Sequence, residues 1–158
     1  MTKKHNSKAA VLTEIMLAVF RVNGRLLEKG DQLVAPLGLT SARWQVLGAV
    51  TRAGKPITAP QVAEAMGMTR QGAQKQLNKM GKEGFFEIRS NPRHARSPLY
   101  APTLKANKTI DETMALNALW ANALAANLAL ADIKNTLQIL NTIYELLDSP
   151  VPTKGAKK

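Results

Sequence analysis

Six polar residues, Thr69, Arg70, Gln71, Gln74, Lys75 and Asn78, fall within one stretch of helical period, and Arg93, His94 and Arg96 follow in a short polar segment. Their chemistry is non-covalent: Arg and Lys bring charge and donors, while the Gln and Asn amides both donate and accept. The chain of 158 residues has no cysteine, which excludes a disulfide framework, a thiolate zinc site and a thiol redox switch. Its two histidines, His5 and His94, stand apart, and the acidic residues show neither paired-carboxylate nor metal-ligand spacing. No catalytic residue, metal or cofactor is expected, and an enzyme is the weaker reading.

Charge points the same way. Lys and Arg number 22 against 11 Asp and Glu, a net +11 that suggests a polyanionic partner. From Thr69 to Lys108, nine basic residues face only Glu83 and Glu87, so this window holds +7 of the total. A protein-interaction module built on apolar seams leaves that concentration unexplained. RNA binding is disfavoured by an aromatic content of 4%, since single strands are usually held by stacking platforms.

The elements that must position these groups can be read from period and punctuation. About Lys8 to Val34 is helical, with Leu12, Ile15, Val19, Val22 and Leu26 in a heptad-like seam, ended by Pro36-Leu37-Gly38. A short helix follows Thr40, with Trp44, Leu47 and Val50 inward. Another opens at Thr58-Ala59-Pro60-Gln61, which has capping-box spacing, and stops at Gly67. Thr69 then caps a helix to about Lys82, with Ala73, Leu77 and Met80 on one face and the polar, basic set opposite. Phe86-Glu87-Ile88-Arg89 alternates as a half-buried strand that Leu99-Tyr100-Ala101 can pair, around the basic tip Ser90 to Ser97. Helices resume from about Thr103, bend near Ala129, and end in a seam of Leu130, Ile133, Leu137, Leu140, Tyr144 and Leu147.

Three short helices and a hairpin describe a winged helix-turn-helix: the fold class is mainly α with a small β-hairpin wing, flanked by N- and C-terminal dimerisation helices. A helix with a polar, basic outer face fits a DNA major groove, where Arg and Lys donate to guanine and Gln can pair with adenine. The tip with Arg93 and Arg96 suits a minor groove or flanking phosphates.

From Leu39 to Leu104 the chain resembles the MarR family of multiple-antibiotic-resistance regulators. The likeness rests on Leu39 to Leu47, on Gln61 to Gly72, on Leu77 through Glu87, and on the wing Asn91 to Ser97, in that order and spacing. It implies a homodimeric transcriptional regulator, most often a repressor, released by a small amphipathic or aromatic effector. It implies Thr69, Arg70, Gln71, Gln74 and Lys75 in the major groove and Arg96 at the wing tip. One departure is His94, which stands where the family's wing usually has an acid, so its carboxylate–arginine pair is missing. A second is Ala106, near a position where many members have glycine.

Trp44 and Trp120 are candidates for an effector pocket, with packed core the favoured alternative. Arg43 is a candidate for an effector carboxylate, with an ion pair as the commoner role. The expected organisation is a disordered N-terminus (1–7), an N-terminal dimerisation helix (8–35), the winged helix-turn-helix (36–103), C-terminal dimerisation helices (104–148) and a disordered basic tail (149–158). No apolar stretch reaches bilayer length and the N-terminus lacks a signal-like apolar core, so no membrane partner and a cytoplasmic location are expected. The partners expected are double-stranded DNA with a near-palindromic operator and a second copy of the chain. The competing reading is a nonspecific architectural DNA-binding protein without effector.

Overall fold

The structure is a computed structural model that describes residues 6–151, and the expected disorder at 1–5 and 152–158 lies outside the described residues. The described residues hold six α-helices and one two-stranded antiparallel sheet, the mainly α architecture expected. The chain divides into two compact units, meeting between Asn117 and Ala118 inside one helix.

Helix α1 (Ser7–Val34) begins on Asn6, whose side chain accepts the Ala9 N–H at 2.8 Å. Asn6 and Ser7 are therefore cap and first turn rather than part of a loose leader. Most of α1 is exposed, and only Gly30 and Val34 are buried. Gly30 is a close approach: a Cβ there would lie 2.4 Å from Ser41 Oγ. A 3-10 turn (Ala35–Leu37) leads to α2 (Ser41–Arg52), capped by Thr40, whose side chain accepts the Arg43 N–H. Trp44 is only half-buried, whereas Val46, Leu47 and Val50 are fully enclosed.

Helix α3 (Ala59–Met66) starts at Thr58, whose N–H donates to Gln61 Oε1 at 2.9 Å. Helix α4 (Arg70–Lys82) lays Ala73, Leu77 and Met80 against α2 and α3. These are the buried positions expected from the period, and removing a fully buried Leu77 side chain would cost about 2–5 kcal/mol.

Strands β1 (Phe86–Arg89) and β2 (Leu99–Pro102) pair with Ile88 opposite Tyr100. Tyr100 also exchanges both backbone hydrogen bonds with Ile57, at 2.8 and 3.1 Å, which ties the hairpin to the segment before α3. The alternation expected for β1 is only half present: Phe86 is buried, but Ile88 is 56% exposed. Ile88 lies opposite the buried Tyr100 and close to α4 at Gly81, yet stays largely on the surface.

Helix α5 (Leu104–Ala125) packs its first half on the core through Ala106, Ile110 and Thr113, so the residue at 106 is fully buried. The C-terminal unit holds the rest of α5 and α6 (Leu130–Leu146), with the turn at Ala126 to Ala129 where a bend was expected. None of α6 is buried, and Leu130, Leu137, Tyr144 and Leu147 are all more than half exposed.

Candidate nucleic-acid interface

The turn between α3 and α4 is short because Gly67 reverses the chain in the left-handed region, at φ 61°. A side chain there would be strained, whereas glycine is not. The Met68 N–H returns to the Ala63 carbonyl at 3.0 Å, closing α3. One residue later Thr69 Oγ1 accepts the Gly72 N–H at 3.0 Å, opening α4. With both ends fixed and Ala73, Leu77 and Met80 buried, the opposite face is set: Arg70, Gln71, Lys75, Asn78 and Lys79 are exposed.

Gln74 and Asn78 differ from a freely solvated pair. Gln74 Nε2 donates to Asn78 Oδ1 at 2.8 Å and to the Tyr100 hydroxyl at 2.6 Å. That hydroxyl donates to Asn78 Oδ1 at 3.1 Å, closing a three-membered ring of hydrogen bonds. Tyr100 was read from sequence only as a strand residue. Nothing in local spacing links it to a helix more than twenty residues earlier.

The wing tip is organised by Asn91. Its Oδ1 accepts the Arg93 N–H at 3.1 Å and its Nδ2 donates to the Ser97 carbonyl at 2.8 Å, so the loop is closed at its neck. Turns from Asn91 to His94 and from His94 to Ser97 follow. Arg93, His94 and Arg96 are all exposed. Among the described residues neither wing-tip arginine has a carboxylate partner, while Arg89 pairs with Glu87 at 2.8 Å along β1.

Arg43 lies behind this surface. It forms an ion pair with Glu83 at the end of α4 and stands 5.6 Å from the Phe85 ring centroid. Lys105 stands 4.3 Å from the same centroid and donates to the Glu83 carbonyl at 2.7 Å. Arg43 thus fastens α2 to the α4–β1 junction, the alternative weighed against an effector role.

An open cavity of about 620 Å³ lies between α2 and the first half of α5. Trp44, Met66, Ile110 and Met114 supply its apolar wall, with Arg52 and Asp111 as charged members. Trp44 is therefore wall as well as packing, and Arg43 is not among the lining residues. Trp120 belongs to the C-terminal unit. No group of three potential metal-ligating His, Asp or Glu side chains occurs among the described residues. No single helix there is long and apolar enough to cross a membrane.

A helix pair with a glycine turn, the second helix basic on its outer face, and a basic hairpin beside it define a winged helix-turn-helix protein. Comparison with known proteins narrows the class. The MarR family model matches residues 37–97. An uncharacterised protein of Mycobacterium tuberculosis is 35% identical over 121 residues, covering 77% of this chain and 79% of its own length. A MarR-family transcriptional regulator from Rhodococcus sp. RHA1 superposes with a TM-score of 0.73 at 18% identity, over 83% of this chain and 92% of that one. CouR from Rhodococcus jostii RHA1, solved bound to p-coumaroyl-CoA, gives 0.72 at 18% identity, over 89% and 95%. Residues 37–97 match the MarR family, and the described chain has the winged-helix fold of that family's solved members.

Proposed function

We propose that this regulator binds double-stranded DNA sequence-specifically as a homodimer, represses transcription, and is released by a small amphipathic or aromatic effector. The observation that carries the DNA reading is the shared exposure of Arg70, Gln71 and Lys75 on α4 and of Arg93 and Arg96 on the wing. A helix in the major groove reads base edges, and a basic tip beside it neutralises backbone charge. Thr69, Gln74 and Asn78 complete the α4 contact set, and His94 accompanies the wing arginines.

The dimer reading rests on apolar surface. Phe20, Val22 and Leu26 on α1 are each at least half exposed, as are Leu130, Leu137 and Leu147 at α6. A soluble chain rarely leaves such faces uncovered, and a two-fold copy would cover them. On this reading residues 8–35 and 104–148 make the dimer and 36–103 meets DNA. The two α4 helices would then enter successive major grooves about 34–36 Å apart, on a near-palindromic operator. The effector reading rests on the cavity with Trp44 in its wall, and CouR bound to p-coumaroyl-CoA is a structural neighbour that carries an aromatic acyl ligand.

Footprinting on the promoter regions flanking the chain's own gene tests the reading. A protected near-palindrome, with affinity well above that for scrambled DNA, is expected. Equal affinity for every duplex would favour a nonspecific architectural binder instead. Aromatic acids such as p-coumarate should quench Trp44 fluorescence and weaken the protected complex, and should do neither in an Ile110→Trp variant with the cavity filled.

A further inference from the structure

The ring formed by Gln74, Asn78 and Tyr100 has a consequence for what α4 can read. Tyr100 is 1% exposed, the largest fully buried side chain in the described core. Its backbone is held by two hydrogen bonds to Ile57 and its ring by the core, so the position of its hydroxyl is fixed from the sheet side. A phenylalanine would fill the same volume. What the hydroxyl adds is two bonds, and both go to amides one turn apart on the helix that faces outward.

Gln74 Nε2 has two hydrogens, one committed to Asn78 Oδ1 and the other to the Tyr100 oxygen. A single glutamine reads adenine by offering both its amide oxygen and its amide nitrogen. Gln74 cannot do so while the ring is closed. Left uncommitted are the oxygen of Gln74 and the nitrogen of Asn78, which together again make an acceptor and a donor. Gln74 Oε1 is not among the buried, unpartnered polar atoms of the described residues.

We propose that the Tyr100 hydroxyl is a positioning group for base readout: by closing the ring it makes Gln74 and Asn78 one composite reading head. Gln74 Oε1 accepts from an exocyclic amine, adenine N6 or cytosine N4, and Asn78 Nδ2 donates to a purine N7 or carbonyl oxygen of the same base pair. This inference rests on the sequence-specific reading above, and deepens it by naming a residue that touches no DNA.

The test is selection from a randomised duplex library by the full-length protein. The strongest duplex is then measured against versions with each base pair replaced, over a range of salt concentrations. Tyr100→Phe and Asn78→Ala should lose preference at the same base pair in each half-site, by about tenfold, and the double variant should lose no more. Affinity for scrambled DNA and its salt slope should be unchanged, because no phosphate contact is removed. A merely structural hydroxyl would lower the melting temperature and all affinities alike while the base preferences stayed as in wild type, and that result overturns the proposal. If Tyr100→Phe does not fold, Gln74→Ala and Asn78→Ala decide: non-additive loss at one base pair supports the composite head, and additive loss at separate pairs refutes it. A wild type that enriches no sequence overturns the specific-regulator reading and this inference with it. A wild type that selects while the variants select identically overturns the inference alone.

Discussion

Asp31, near the end of α1, accepts the backbone N–H of Ser41 at 2.6 Å and so seats a carboxylate on the first turn of α2. The bond satisfies one of the orphan donors at that helix start and places negative charge at the positive end of its dipole. Ser41 answers by donating its hydroxyl to the Leu27 carbonyl at 2.7 Å. The arrangement requires that nothing project from Gly30, which lies beneath the serine.

Gly30→Ala should therefore destabilise the fold by about 1–3 kcal/mol, since the new methyl meets Ser41 Oγ in a packed joint. In a Ser41→Ala background the same change should cost less, because the clashing oxygen is gone. Urea unfolding of the four proteins at one fixed concentration measures the coupling, and strictly additive losses would refute the joint.

On α4, Gln71→Ala and Lys75→Ala should each relax sequence preference, with a good bidentate base contact worth about 1–3 kcal/mol. Both side chains are exposed, so melting temperatures should hardly move. Competition between operator and scrambled duplex provides the readout. Unchanged discrimination would remove these residues from the reading surface.

At the wing, Arg96→Ala should weaken binding to every duplex and reduce the salt slope by about one phosphate contact. Arg96 has no carboxylate partner among the described residues, so the loss should report DNA contact rather than a broken ion pair. Titrations at several salt concentrations that superimpose on wild type would exclude it.

Leu137→Glu together with Leu140→Glu should give monomers or aggregates that lose operator binding while the α4 surface is intact. Both leucines are exposed on α6, where charge is harmless in a monomer and costly in a buried interface. Light scattering would decide, and a well-folded wild-type monomer at micromolar concentration would end the dimer reading.

What could be read from the residues in order was whatever depends on near neighbours. Gly67, Thr69 and the Ala73–Leu77–Met80 period act within a turn or two, and the structure has the turn, cap and buried face they imply. Contacts across the chain were out of reach. Glu83 lies forty residues from Arg43, so the ion pair that occupies this arginine had no local signal. Tyr100 and Gln74 are joined only because the hairpin folds back over α4. Ile88 departs from the alternation because at its level of the hairpin the core is filled from the other strand, by its cross-strand partner Tyr100, which no pattern within β1 reports. The cavity beside Trp44 likewise depends on α5 returning to α2.

The Asn91–Ser97 clasp makes the wing tip a replaceable cassette. A loop pinned at its neck transmits little of its own length or sequence to the strands, whose register is held by their own ladder while the Ile57–Tyr100 bridge anchors β2. Lengthening such a loop costs only slowly growing closure entropy, about 0.6 kcal/mol for each doubling. Evolution, or a designer, could thus trade one tip for a longer or more basic one and retune how far the wing reaches. Helix α4 would not need to be rebuilt.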